Sequence, residues 1–224
     1  MAATASHPIN AAAHLLAPDS PARTALACGD QRIDYGELRA AVALAGAAWL
    51  DCDVLPGEVV TMRPVRDIEH AVAFLGAIWA GAVPMPLHAA RELQARHVRP
   101  PVRFVLDATR DGYVDGWRDS VMTLAEWRMY LGLSRPAAPV QLPPEAAACW
   151  TEPRRDGGGA RLLAHGFALA AASFGPEAAL GCVRVSGALG MLRVLRRGGT
   201  AVLGTDAATG AYASARTRAA LAPS

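Results

Sequence analysis

Residues 59–87 constrain the fold more than any other part of the chain. Val59–Met62 is a short apolar run with strand-like composition. A polar break follows, ending at Asp67. Residues 71–83 are then continuously apolar, glycines included. That run is too short to cross a bilayer, which takes ~20 residues. Pro84 and Pro86 close it, so it reads as a buried helix opened by Asp67, running to Ala80 and capped by Gly81. Residues 83–87 resume as a strand. Strand, buried helix and strand in so short a span form a crossover, which joins parallel strands. The expected fold class is therefore α/β: a largely parallel sheet with covering helices.

The flanking segments fit that plan. Residues 10–16 read as a short helix with Asn10 as N-cap, closed by Pro18 and Pro21. Thr24–Cys28 and residues 32–35 read as strands about a turn at Gly29-Asp30-Gln31. Asp34 and Glu37 have capping-box spacing, and Leu38, Val42, Ala45 and Trp49 recur at helical spacing over residues 36–50. Pro56-Gly57-Glu58 is a turn. Residues 91–97 read as a helix, Val102–Leu106 as a strand, 107–120 as a loop and 124–131 as a short helix. Residues 135–144 carry four prolines and read as a linker. Beyond it, 188–197 reads as a helix, Thr200–Leu203 as a strand and 205–224 as a frayed tail. The expected organisation is a first α/β subdomain over 1–140, an incomplete second α/β segment over 141–204, and the tail. There is no internal repeat.

Composition excludes several chemistries. The 224 residues carry a formal charge of only +2, without the concentrated basic footprint of a nucleic-acid binder. Every basic residue is Arg, and no Lys occurs. A Schiff base, a Lys general base and a Walker-type Lys are thus excluded from these residues. Cys28, Cys52, Cys149 and Cys182 form no C-x-x-C pair and lie apart from the histidines, so neither a metal site nor a disulfide framework is expected. Free thiols and the lack of a signal-like N-terminus lead to the expectation of a cytoplasmic protein with no membrane association.

One loop raises a functional question. Residues 148–166 read ACWTEPRRDGGGARLLAHG: an apolar strand, a polar Gly-rich loop, an apolar stretch, then a helical run over 166–174. The layout suits a loop that wraps a phosphate. Yet it holds no Ser or Lys, and its single Thr stands at the start. A nucleotide loop, a degenerate one and a flexible turn all remain open.

The order of motifs narrows the choice. INAAAHLL, ALACGDQRIDYGELRAAVALAGAAW, LPGEVVTM and IEHAVAFLGAIWAGAVPMPLH follow one another from Ile9 to His88. This resembles the N-terminus of adenylate-forming acyl- and aryl-CoA ligases, most of all the benzoate- and 4-hydroxybenzoate-CoA ligase branch. Tyr35-Gly36-Glu37-Leu38, Pro56-Gly57-Glu58 and the two blocks 74–78 and 80–84 carry the match. They are structural motifs and do no chemistry. One departure is His88, where the family usually has Asn.

The resemblance implies a Ser/Thr/Gly-rich loop followed by Pro-Lys-Gly that wraps the ATP phosphates, with Mg²⁺ assisting. Aligning Trp150 and His165 without gaps puts Gly158 at the last loop glycine and Arg161 at the loop lysine. Hydroxyl positions become Pro153, Arg154, Asp156 and Gly157, a loop glycine becomes Arg155, and Pro-Lys-Gly becomes Ala160-Arg161-Leu162. Such a loop works through converging N–H and hydroxyl donors. Pro153 removes one N–H. Asp156 sets a like charge where phosphate would sit, at a cost of about 1–4 kcal/mol at ~4 Å in wet surroundings. Gly157, Gly158, Gly159 and Arg161 are the candidate cofactor-binding residues for ATP or AMP. His165, matching a family His beside the acyl pocket, is the candidate pocket residue, with a plain strand-end role as its alternative. No catalytic residue and no metal ligand is expected.

The resemblance also implies downstream parts that these residues lack: the aromatic Thr-Glu motif, the ribose-binding Asp, the Arg hinge and the lid with its Lys. The expectation is a truncated, degenerate homologue that is catalytically inactive alone. Two alternatives stand beside it: a non-catalytic module that binds an intact ligase or self-associates, and one half of a split ligase retaining weak ATP binding. Asp67, Glu69 and His70 read as charges complementing a helix dipole rather than as an acid/base group, and Arg193, Arg196 and Arg197 likewise. Ser173 and Ser186 lack a G-x-S-x-G context.

Overall fold

A computed structural model describes residues 7–17, 20–98, 100–106, 121–151, 159–173 and 181–204. Helix α1 (Ala11–Leu15) is capped by Asn10, whose Oδ1 accepts from Ala13 N. The buried Asn10 amide also donates to the carbonyls of Ile78 and Val140, each at 2.9 Å. Strands β1 (Thr24–Cys28) and β2 (Gln31–Asp34) form the expected antiparallel hairpin. Its turn places Gly29 at φ 56°, a left-handed conformation suited to glycine.

Helix α2 (Tyr35–Asp51) starts at the Asp34/Glu37 capping box. Strand β3 (Val59–Met62), helix α3 (Ile68–Trp79) and strand β4 (Val83–Pro86) form the crossover, and β3 and β4 are parallel. Asp67 is the N-cap, and Gly81 follows the Ala80 C-cap at φ 79°. Helices α2 and α3 approach closely because both carry glycine at the contact. A Cβ on Gly76 would lie 2.5 Å from Ala45 Cβ, and one on Gly46 would lie 2.6 Å from Trp79 Cδ1.

Helix α4 (Leu87–Ala95) begins directly at the end of β4, where sequence had placed a helix over 91–97. Pro86 supplies a fixed φ of −60° at the N-cap, and Leu87, Ala89 and Ala90 are buried from the first turn. Strand β5 (Val102–Leu106) and a two-residue strand β6 (Val121–Met122) complete a parallel sheet of order β4-β3-β5-β6. Helix α5 (Leu124–Leu133) has its own capping box, Thr123/Glu126.

Residues 135–144 carry linker-like prolines but lie across α2 and α3 as a strap. Trp79 Nε1 donates to Ala137 O at 2.9 Å, Val140 N donates to Trp79 O, and Ala137 N donates to Ala43 O. Residue Leu142 bridges back to Ile9. Proline removes N–H donors from the strap, but its remaining backbone groups still pair.

Strands β7 (Ala147–Trp150) and β8 (Leu162–Ala164) form an antiparallel pair. Helix α6 (His165–Ser173), strand β9 (Cys182–Arg184), helix α7 (Ala188–Arg196) and strand β10 (Thr200–Leu203) follow. Strand β10 lies between β1 and β9, parallel to both, in the order β2-β1-β10-β9. One hydrophobic cluster runs from Ala11 in α1 through α2 and α3 to Leu203 in β10. The expected loop at 107–120 and tail at 205–224 lie outside the described residues.

Candidate functional site

Strands β7 and β8 are the two stems of the Gly-rich loop. Trp150 is paired with Leu162, and Thr151 N donates to Arg161 O at 2.9 Å. The Thr151 hydroxyl accepts from Arg161 N at 3.3 Å. The loop's single Thr thus closes its neck, and its oxygen serves the opposite stem.

A small apolar cluster seats this neck. Val59, Val83, Met85, Ala89 and Ala90 are buried, and Trp150 and Ala160 pack on them. That contact brings the returning limb of the loop to α4. There Ala160 N donates to Glu92 Oε2 at 3.0 Å. The other carboxylate oxygen, Oε1, pairs with Arg96 Nη2 at 2.7 Å. Gly159 lets the carboxylate come this close: a Cβ there would stand 2.7 Å from Glu92 Oε1.

His88, on the first turn of α4, is held below the usual imidazole range by burial, then by the charges of Arg66 and Arg91, with Glu92 opposing them. His88 is thus a half-buried group that favours its neutral form.

Of the five residues singled out by sequence, Gly157 and Gly158 lie outside the described residues. Gly159 abuts Glu92. The Arg161 side chain is exposed, while its backbone closes the loop neck. His165 is fully buried, at 0% exposure. Its Nδ1 accepts from Ala11 N, the first helical N–H of α1, at 3.1 Å. The proton then sits on Nε2, and burial pushes the imidazole down to about 4. His165 satisfies a helix-end donor that would otherwise be orphaned.

Sequence reasoning missed Glu92 and Arg96. Their i,i+4 spacing lies within the helix expected over 91–97, but that spacing says nothing of a contact with the loop. The Asp67–Glu69–His70 group is structural. Asp67 caps α3 through His70 N at 2.8 Å, and its carboxylate meets His70 Nδ1 at 2.9 Å. Burial would raise the Asp67 carboxyl, but the hydrogen bonds from His70, its charge and that of Arg63 hold it low. Glu69 forms a two-point pair with Arg128 on α5, both contacts at 2.7 Å.

Among the described residues, the neck of the loop departs from the ATP cradle that the resemblance implies. The Ala160 N–H is taken by a carboxylate, no Lys exists, and Arg161 is directed to solvent-exposed surface. Among the described residues, no group of three or more His, Cys, Asp or Glu side chains is placed to hold a metal ion, and no helix is long and apolar enough to cross a membrane.

No protein-family model matches the chain, and no curated protein sequence matches it. Solved structures do. A benzoate CoA ligase from Burkholderia xenovorans LB400 superposes with a TM-score of 0.71 at 19% identity, over 93% of this chain and 48% of that one. Mycobacterium smegmatis MbtA, in its apo form, superposes with a TM-score of 0.74 at 22% identity, over 96% of this chain and 47% of that one. The Klebsiella oxytoca NpsA N-terminal subdomain, in complex with 3-hydroxybenzoyl-AMSN, gives 0.69 at 16% identity, over 97% and 59%. The chain spans about half the length of these neighbours. Its α/β fold is that of the N-terminal part of adenylate-forming ligases.

Proposed function

We propose that these 224 residues form a catalytically silent relative of the N-terminal part of an aryl-CoA-forming adenylating ligase, with a loop that no longer holds ATP. One observation carries the reading: Pro153 and Asp156 stand at hydroxyl positions of the loop, and Arg161 replaces its lysine. The structure adds that the returning limb of the loop is drawn onto α4, where Ala160 N donates to Glu92 Oε2 at 3.0 Å. Neighbours that include a benzoate CoA ligase favour an aryl acid as the ancestral substrate class. Four free cysteines favour the cytoplasm.

Calorimetric titration with Mg-ATP of the wild type and of Arg161→Ala tests the reading, together with ATP–pyrophosphate exchange in the presence of benzoate. Absence of both signals in a folded sample is expected. Saturable binding that weakens in Arg161→Ala would overturn it in favour of a split ligase half that keeps weak ATP binding.

A second reading, a module that binds an intact ligase or a second copy of itself, has its own support. Met129 and Leu133 lie one turn apart on α5, exposed by 55% and 76%. Light scattering after size exclusion separates the cases, and a clean monomer that retains no added ligase would remove this one.

A further inference from the structure

We infer that Glu92 is an internal plug: its carboxylate stands in for a phosphate at the loop, and removing it opens an anion site between α4 and the loop's returning limb. The inference rests on the reading above that the wild-type loop does not hold ATP.

An ordinary i,i+4 pair on a helix surface involves two side chains of one element. Here the Glu92–Arg96 pair recruits a backbone N–H from Ala160, 68 residues away. A backbone N–H and a guanidinium converging on two oxygens of one anion is also how a phosphate is held. Gly159 fits the same account, because a Cβ there would stand 2.7 Å from Glu92 Oε1 and the carboxylate would have to shift. The seat is fixed from below by Trp150 and Ala160 on the apolar cluster that includes Ala89 and Ala90 of α4. These apolar contacts do not involve the carboxylate. With the carboxylate in place, an incoming phosphate meets a like charge and a donor already engaged. With it gone, the two donors that hold the carboxylate, Ala160 N–H and the Arg96 guanidinium, are left without it.

The probe is inorganic pyrophosphate without metal, titrated calorimetrically into the full chain. Wild type, Glu92→Ala, Glu92→Gln and the double variant Glu92→Ala/Arg96→Ala are compared, and each is checked for a cooperative thermal transition. Glu92→Ala is expected to bind pyrophosphate about tenfold or more tighter than wild type, with affinity falling as salt rises. The double variant returns to the wild-type level. Should Glu92→Ala not fold, Glu92→Gln carries the test: it removes the charge, and a smaller gain is expected because its amide oxygen can still accept from Ala160 N–H. Folded variants that bind no better than a non-binding wild type overturn the plug and leave the proposed function standing. A wild type that already binds both pyrophosphate and Mg-ATP, with no gain on losing Glu92, overturns both.

Discussion

The Tyr35 hydroxyl donates to the Gly199 carbonyl at 2.8 Å, across 164 residues of sequence. Tyr35 opens α2 and Gly199 leads into β10, so the bond ties the first helix layer to the last strand. The ring is fully buried, and burial pushes the phenol up to about 12 despite the opposing charge of Arg23. Tyr35→Phe keeps the ring and leaves that carbonyl without its phenol donor. It should cost about 1–2 kcal/mol in urea unfolding. A change under a few tenths would mean the carbonyl finds another donor.

The α2–α3 contact predicts opposite outcomes for two glycines. Gly76→Ala drives a Cβ to 2.5 Å from Ala45 Cβ and 3.0 Å from its backbone carbon. Neither is the end of a flexible side chain, so the helices must separate, at about 2–4 kcal/mol. A Cβ on Gly132, in α5, meets nothing within 4 Å. Gly132→Ala should therefore stabilise, by about 0.5–1 kcal/mol, through helix propensity and unfolded-state entropy. Thermal melts of the two variants should move in opposite directions.

His165 makes stability fall in acid. Its folded pKa is depressed to about 4 from the ordinary 6.5, so between these values the unfolded chain binds a proton that the folded chain refuses. The contribution is complete above about pH 6.5 and is lost progressively as pH falls toward 4, amounting to about 1–3 kcal/mol. His165→Asn keeps an acceptor for Ala11 N–H but cannot titrate there. Chemical denaturation from pH 7.5 to 4.5 (about three units, chosen to span the window) should show a shallower decline in this variant than in wild type.

Thiol labelling should proceed in a fixed order. Cys182 is exposed, while Cys52 and Cys149 are buried. Burial, then the charges of Asp51 and Asp53, push the Cys52 thiol up to about 12. The thiolate is the nucleophile, so iodoacetamide at neutral pH should modify Cys182 first and Cys52 only on unfolding. Peptide mapping by mass spectrometry reads the order, and early labelling of Cys52 would contradict the packing of α2's C-terminus.

Strong local signals made much of the fold legible. The Asp34/Glu37 box, the Asp67 cap and the apolar run into Gly81 each placed an element that the structure confirms. Val121–Met122 and Cys182–Arg184 escaped because two or three residues carry no readable period; their pairing with β5 and β10 makes them strands. Prolines marked 135–144 as a linker, yet they do not prevent Val140 N or Trp79 Nε1 from finding partners across the chain. The candidate site was legible only in its loop. Gly159 and Arg161 were visible as motif residues, but Glu92, which occupies the loop's N–H, comes from a distant helix, and no spacing rule joins the two.

The placement of β10 has a consequence during synthesis on the ribosome. Strand β1 pairs on one side with β2, made moments later, and on the other with β10; Thr200 Oγ1 donates to Thr24 O, 176 residues away. At typical elongation rates the open edge of β1 waits roughly ten to thirty seconds for its partner. For that interval the nascent hairpin presents unpaired backbone donors and acceptors. Yield in cells should therefore depend on chaperones and translation speed more than the finished molecule's stability would suggest.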